Sequence, residues 1–156
     1  MKLLDEYRSA CAAEAVARLR RVLVLRAMLA MGDTQRQVAG TINISQPAVS
    51  QQLKAAAIEN VDPVRLIDAG GPILRRVAQE RGFSDLAVFG SVARGEAHSD
   101  SDFDLLVRPP RGTTIAELLA LQRLFEAIMG RRVDLMTYGG LKPGVDDDIL
   151  EEARLL

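Results

Sequence analysis

The sequence predicts an α+β chain: an all-helical domain over residues 1–60, a junction over 61–71, and a small α/β domain with a short mixed sheet over 72–156. Three observations predict it. Apolar residues recur at helical spacing up to residue 57. From residue 72 onward the pattern reads helix, strand, turn, strand, helix, strand, helix, as expected for helices packed on a small sheet. Charge divides the chain at the same place. Residues 1–58 hold eight Lys and Arg against four Asp and Glu, and residues 59–156 hold twelve against seventeen. A basic part suits phosphates and an acidic part suits a cation.

The elements follow in order. Leu3, Tyr7, Ala10, Leu19, Val22, Leu23 and Met28 place one long helix over 3–31, ended by Gly32. Asp33-Thr34 offers the next N-cap, for a short helix over about 34–42. Asn43 makes the turn, because Asn tolerates the left-handed conformation. Ser45 caps a helix over 46–57, with Pro47 in its first turn, where a missing N–H costs nothing. Asp62-Pro63 and Gly70-Gly71-Pro72 mark the junction, with a short helical turn from Pro63 to Ala69. A helix then runs from Pro72 to Arg81. Strands are expected at Leu86–Phe89, Phe103–Val107 and Arg132–Met136. A helix capped by Thr113 or Thr114 and stopped by Gly130 lies between the last two, and a final helix spans Asp146–Leu155.

Composition removes several functions. With 48% hydrophobic residues the chain can bury a core. Four Phe, two Tyr and no Trp are too few for a base-stacking platform. The single cysteine, Cys11, makes no internal disulfide and no cysteine metal cluster, and is expected to pack within its helix. Asp5 and Glu6 stand where a secretory signal needs an apolar core. The stretch Val22–Met31 is broken by Arg26 and is too short for a bilayer. The expectation is a cytoplasmic protein with no membrane partner.

The run from Thr34 to Leu53 has the internal logic of a helix-turn-helix. Ala39 is small where two helices cross, Asn43 turns the chain, and Val38, Ile42, Ile44, Val49 and Leu53 supply an apolar seam. The second helix would expose Gln46, Ser50, Gln51 and Lys54, side chains that hydrogen-bond base edges and phosphates in a major groove. The Ser-Gln-Pro-Ala-Val-Ser-Gln-Gln-Leu run resembles bacterial helix-turn-helix regulators of the winged-helix repressor type. Asn43 stands where many such motifs have Gly, and no wing pattern follows over 58–71. The alternative is a helical hairpin that only packs or dimerises. Operator DNA would be the partner, and a homodimer through the long first helix would match two-fold operators.

The second informative run extends from Gly90 to Val107. Gly90 and Ser91 follow a buried strand and open a turn whose N–H groups suit a phosphate, with the Ser91 hydroxyl as a further donor. Asp102 and Asp104, two apart at a strand start, point to one face. Paired carboxylates repel unless a cation lies between them, and beside a phosphate-binding turn that cation is most simply Mg²⁺. Asp134, flanked by core-facing Val133 and Leu135, is the third expected acid. The three should form one cluster near Gly90 and Ser91. Two ions could be held there, one activating a hydroxyl and one holding a triphosphate. His98, Glu96 and Asp100 read as solvated loop residues, and Asp146, Asp147 and Asp148 as acids that complement a helix dipole.

Gly-Ser, ten residues, then Asp-x-Asp resembles the signature of the polymerase-β-like nucleotidyltransferase superfamily. The fuller Gly-Ser-x-Ala-Arg-Gly pattern, Ser-Asp-x-Asp-Leu-Leu-Val, Arg-Arg-Val-Asp-Leu-Met-Thr and the terminal Ile-Leu-Glu-Glu-Ala-Arg-Leu look like its minimal nucleotidyltransferase branch. The resemblance covers residues 72–156. It implies that Gly90 and Ser91 bind nucleotide phosphates, that Arg94 touches phosphate or acceptor, and that Asp102, Asp104 and Asp134 are the catalytic metal triad. Asp134 would help the attacking hydroxyl. It also implies Mg²⁺-dependent transfer of a nucleoside monophosphate, AMP from ATP, to a hydroxyl. The branch is associated with toxin–antitoxin pairs, in which the partner is a HEPN-type toxin modified on tyrosine. The helix-turn-helix would then autoregulate the operon. Alternatives are a regulator or binding-only antitoxin with a non-catalytic fold, and a small-molecule enzyme of the antibiotic-modifying type.

Overall fold

The computed structural model describes residues 1–156, which divide into two compact units, Met1–Ala56 and Ala57–Leu156. The first unit holds three helices: α1 (Lys2–Ala30), α2 (Gln35–Ile42) and α3 (Gln46–Ala55). Thr34 caps α2 through a complete capping box with Gln37, and Ser45 caps α3 by accepting the Ala48 N–H at 3.2 Å. Asn43 adopts φ 59° and ψ 45°, the left-handed turn expected of it. Leu25 of α1, Val38 and Ala39 of α2 and Val49 of α3 form one buried cluster, flanked by Met28, Leu29, Ile44 and Leu53. Ile42, expected in that seam, is 40% exposed.

Only the C-terminal half of α1 takes part in packing. Residues 2–18 are exposed throughout, including Leu3, Tyr7 and Val16. Cys11 is exposed with them, so it is not the packing residue the sequence predicts. Helical spacing shows that a segment can be helical and amphipathic, and says nothing of whether its apolar side meets a partner in the same chain.

The second unit is a four-stranded mixed sheet with its two long helices on one face and its short C-terminal helix on the other. Its elements are a 3₁₀ turn (Ile58–Asn60), α4 (Pro63–Glu80), β1 (Ser84–Phe89), α5 (Gly90–Ala93), β2 (Phe103–Arg108), α6 (Ile115–Met129), β3 (Val133–Thr137), α7 (Asp147–Glu152) and β4 (Arg154–Leu155). The strand order is β3-β2-β1-β4, with β2 and β3 parallel and the other pairs antiparallel. The parallel pair is joined through α6, as such a crossover requires. Phe103, Leu105 and Val107 alternate toward α4 and α6, where Leu66, Leu74, Phe125 and Ile128 are fully buried. Thr114 and Glu117 cap α6 reciprocally, and Gly130 ends it at φ 67°.

Two segments depart from the expectations. The junction expected over 61–71 is the first half of α4, which runs unbroken through Gly70-Gly71-Pro72. Asp62 caps it by accepting the Val64 and Arg65 N–H groups. A proline disfavours helical backbone before it mainly through the preceding Cβ, and Gly71 has none. Leu156 takes that space, with its Cδ2 3.1 Å from where a Gly71 Cβ would lie. The final helix, expected to reach Leu155, ends at Glu152, and Arg154–Leu155 pair with β1 instead. The free edge of β1 offers hydrogen bonds that outweigh another half-turn of helix. Arg75 Nη1 donates to the Leu156 carbonyl at 3.1 Å and the Leu156 N–H to the Leu86 carbonyl at 2.9 Å, which completes the anchor.

Candidate active site

The sheet face away from α4 and α6 has a short apolar floor. Ala87, Phe89 and Leu106 are buried there beneath Met136, Tyr138, Leu141, Ile149 and Ala153 from the C-terminal segment. At one end Arg108 lies over the Tyr138 ring, 4.8 Å from its centroid, and pairs with Asp85 at 2.8 Å. At the other end, where β2 and β3 begin, the same face carries Asp104 and Asp134.

These two are direct partners in the parallel register, with Phe89 opposite Asp104 on β1. Asp102 precedes β2 by one residue and is exposed. Burial first, then the charges of Asp134 and Asp102, push the Asp104 carboxyl above the ordinary carboxylate range, while Arg94 pulls it down. The chain does not close a cage by itself: no three His, Cys, Asp or Glu side chains converge tightly enough to hold an ion. The single tight cluster expected of the three aspartates is thus an open shelf. Hard oxygen donors open on one side are nevertheless the set that Mg²⁺ uses, since it takes one or two carboxylates and completes its shell with substrate phosphates and water. The donor set fits that ion.

Gly90 begins α5 at φ +72°, and a Cβ there would collide with the Asp104 carboxylate. The glycine turn and the acid shelf are therefore in contact. Ser91 is half-buried beside Gly90. Arg94 ends the turn, its Nε donating to Glu96 and its Nη1 to Glu152, each at 2.9 Å. Glu96, expected to be solvated, is exposed but paired. His98 is exposed, as expected.

The site therefore joins an acid pair to a glycine turn at the end of a buried strand. A family model for the nucleotidyltransferase domain matches residues 73–156. The chain belongs to the nucleotidyltransferase-domain family. The protein adenylyltransferase MntA of Thermococcus cleftensis is 36% identical over 78 residues, which cover 50% of this chain and 79% of that one. A protein of Methanocaldococcus jannaschii assigned as a protein adenylyltransferase is 36% identical over 74 residues, 47% of this chain and 80% of that one. A solved structure assigned as a minimal nucleotidyltransferase shares 36% identity with a TM-score of 0.55, covering 60% of this chain and 95% of the other. The expected α+β class and family agree with these relatives, and this protein is a nucleotidyltransferase.

Two residues of this nucleotidyltransferase stand inside quoted motifs with no role assigned to them by the sequence. Arg131 Nη1 donates to the Ser99 carbonyl at 2.6 Å, and its Nη2 to the Glu59 and Val61 carbonyls, so it ties down the loop that delivers Asp102. Its carbonyl acceptors carry no side-chain signature. Glu152 was covered only by the terminal motif as a whole. Asp146 and Asp147 hold their own turn, accepting the Lys142 and Gly144 N–H groups. No helix is long and apolar enough to cross a membrane.

In the first unit, Gln46, Pro47, Ser50, Gln51, Lys54 and Ala55 line a shallow groove along α3. Gln46, Gln51 and Lys54 are exposed and Ser50 is half-buried. Gln46 Nε2 donates to Gln35 Oε1 at 2.8 Å, which orients its amide.

Proposed function

We propose that the second unit transfers AMP from ATP to a hydroxyl of a partner protein, and that the first unit binds operator DNA. The observation that carries the enzymatic reading is the register of Asp104 on Asp134 beside a turn that only glycine can begin. The protein acceptor rests on the relatives named protein adenylyltransferases. From the motif resemblance alone, and not from these relatives, the partner proposed is a HEPN-type toxin, with this chain as its antitoxin and operon repressor.

Each residue has a part. The Gly90-Ser91 turn and the Ser91 hydroxyl donate to the triphosphate, and Arg94 faces the charge that gathers on the leaving pyrophosphate. Asp134 receives the proton of the attacking hydroxyl. That oxygen bonds to the α-phosphorus, the bond from the α-phosphorus to the pyrophosphate oxygen breaks, and AMP-protein and pyrophosphate result. Asp102, Asp104 and Asp134 would hold Mg²⁺, which would neutralise the triphosphate and make the hydroxyl more acidic.

The DNA reading rests on the Asn43 turn, the shared α2–α3 core and the exposed polar face of α3. The exposed half of α1 is the face assigned to a homodimer, because a helix segment with apolar residues and no packing partner is marginal in water. Incubation with labelled ATP, Mg²⁺ and the partner, followed by mass measurement of the partner, tests the enzyme. Addition of AMP units supports it. Neutralisation of the partner with no mass gained from any nucleotide would overturn it in favour of binding alone.

A further inference from the structure

Glu152 is the last residue of α7, and its carboxylate reaches back 62 positions to the phosphate turn. Oε1 accepts the Gly90 backbone N–H at 2.9 Å, and Oε2 accepts Arg94 Nη1 at 2.9 Å. One carboxylate thus grips both ends of α5. That helix has four residues and no side-chain N-cap of its own. A single turn of helix cannot hold itself against the entropy of nucleation, so its shape must come from elsewhere.

The carboxylate is well placed to supply it. The Glu152 side chain is 22% exposed, against 45% for Arg94, so the pair is only partly screened. Gly90 must keep a left-handed backbone, and Glu152 bonds the N–H of that same residue. Glu96 accepts from Arg94 Nε, so the guanidinium is held at two of its nitrogens. Glu152 is itself held by the chain that follows. Arg154 and Leu155 pair with Val88 and Ala87, directly before the turn. Arg154 Nη1 also reaches Asp68 of α4 at 3.3 Å.

We propose that Glu152 is a positioning residue for nucleotidyl transfer: its two oxygens lock the Gly90-Ser91 turn to Arg94, so that turn and guanidinium meet the triphosphate as one preformed unit. This rests on the nucleotide-binding reading of the turn given above. Free of the clamp, Arg94 would swing toward Glu96 alone and the turn would have to be ordered by the nucleotide at the expense of affinity.

Glu152→Gln is the test. The amide oxygen can still accept the Gly90 N–H, but the amide nitrogen cannot accept from Arg94. Titration with MgATP, which needs no protein acceptor, should show roughly tenfold weaker binding, as for loss of a charge-assisted hydrogen bond. In transfer assays KM for ATP should rise by a similar factor, with kcat changing less. In an Arg94→Ala background the same change should add less than about twofold, because the two act as a unit. If Glu152→Gln does not fold, Glu152→Asp carries the test, since the shorter arm cannot span both partners. MgATP affinity within twofold of wild type overturns the proposal, and so does a lowered melting temperature with affinity unchanged. Additive effects with Arg94→Ala overturn it as well. A wild type that binds MgATP but transfers AMP to nothing would sink the transfer reading and leave the binding comparison to decide on Glu152.

Discussion

Asp104 and Asp134 face the same side of the sheet as register partners on adjacent parallel strands, and the Asp104 carboxylate fills the space where a Gly90 side chain would begin. Burial raises the Asp104 pKa first, and repulsion from the Asp134 charge adds to the effect. The arrangement costs stability unless a cation lies between the two carboxylates.

Asp104→Asn keeps the shape and removes the charge. Transfer should fall by roughly a hundredfold or more, as for loss of a group that stabilises charge in the transition state. Without divalent ions the variant should melt higher than wild type at neutral pH. The sign follows from the raised pKa: the stability linked to protonated Asp104 is full below the unfolded carboxylate pKa and is lost as pH rises through the higher folded one. Melting curves of both proteins in chelator across pH check this. The gap between them should widen upward through and above the ordinary carboxylate range, and a constant gap would refute the assignment.

Gly90→Ala should lose both stability and activity. The left-handed backbone alone costs about 1–2 kcal/mol for a side chain, and the collision with Asp104 adds to it. Gly95→Ala is the control. Its φ is +71°, but nothing lies within 4 Å of its added Cβ, so only the backbone cost applies. Denaturant melts and MgATP titration of both variants should show the larger loss at Gly90 in each measurement. Equal losses would mean that the turn and the acids are not in contact in solution.

On DNA, Gln46→Ala with Gln51→Ala should lower discrimination between the operator and random sequence by tenfold or so, and leave non-specific affinity nearly intact. Lys54→Ala should weaken binding to every sequence and reduce the salt slope by about one. Anisotropy titrations at several salt concentrations separate the two. Removing residues 1–18 should convert a dimer to a monomer in sedimentation and weaken binding to two-fold sites, while leaving the α1–α3 core folded. An unchanged mass would remove α1 as the dimer face.

The cap of α6 has its own pH signature. The Thr114 N–H and hydroxyl both donate to Glu117, which holds the Glu117 carboxyl below its ordinary value. A lowered folded pKa contributes stability that is present above the unfolded value and lost as pH falls through the folded one. Glu117→Gln should therefore show a flatter loss of stability under acid than wild type. Thr114→Ala should cost about 1 kcal/mol at neutral pH and less in acid, because its hydroxyl is one of the donors that favour the charged Glu117. Parallel acid profiles for wild type and Glu117→Gln would remove the charged cap.

Most helix ends, and the shared face of two acids, were legible in residue type and spacing. Thr34, Asn43, Ser45, Thr114 and Gly130 act through their own backbone neighbours, so helix ends are readable from residue type and spacing. The shared face of Asp104 and Asp134 is readable because strand alternation sends each to a known side, whereas Asp102 lies before β2 and outside that rule. What the tertiary structure decided is which distant groups meet. Gly70-Gly71-Pro72 reads locally as a break, yet Leu156 packs into the space Gly71 leaves and the helix continues. Arg154 and Leu155 read as helix, yet the open edge of β1 draws them into the sheet and sets Glu152 against Gly90 and Arg94. The apolar residues at the start of α1 read as one side of a helix, and only the assembled chain shows that they stay exposed. Local signals act over one or two turns of backbone. Burial, edge pairing and a carboxylate that reaches across 62 positions depend on the assembled chain.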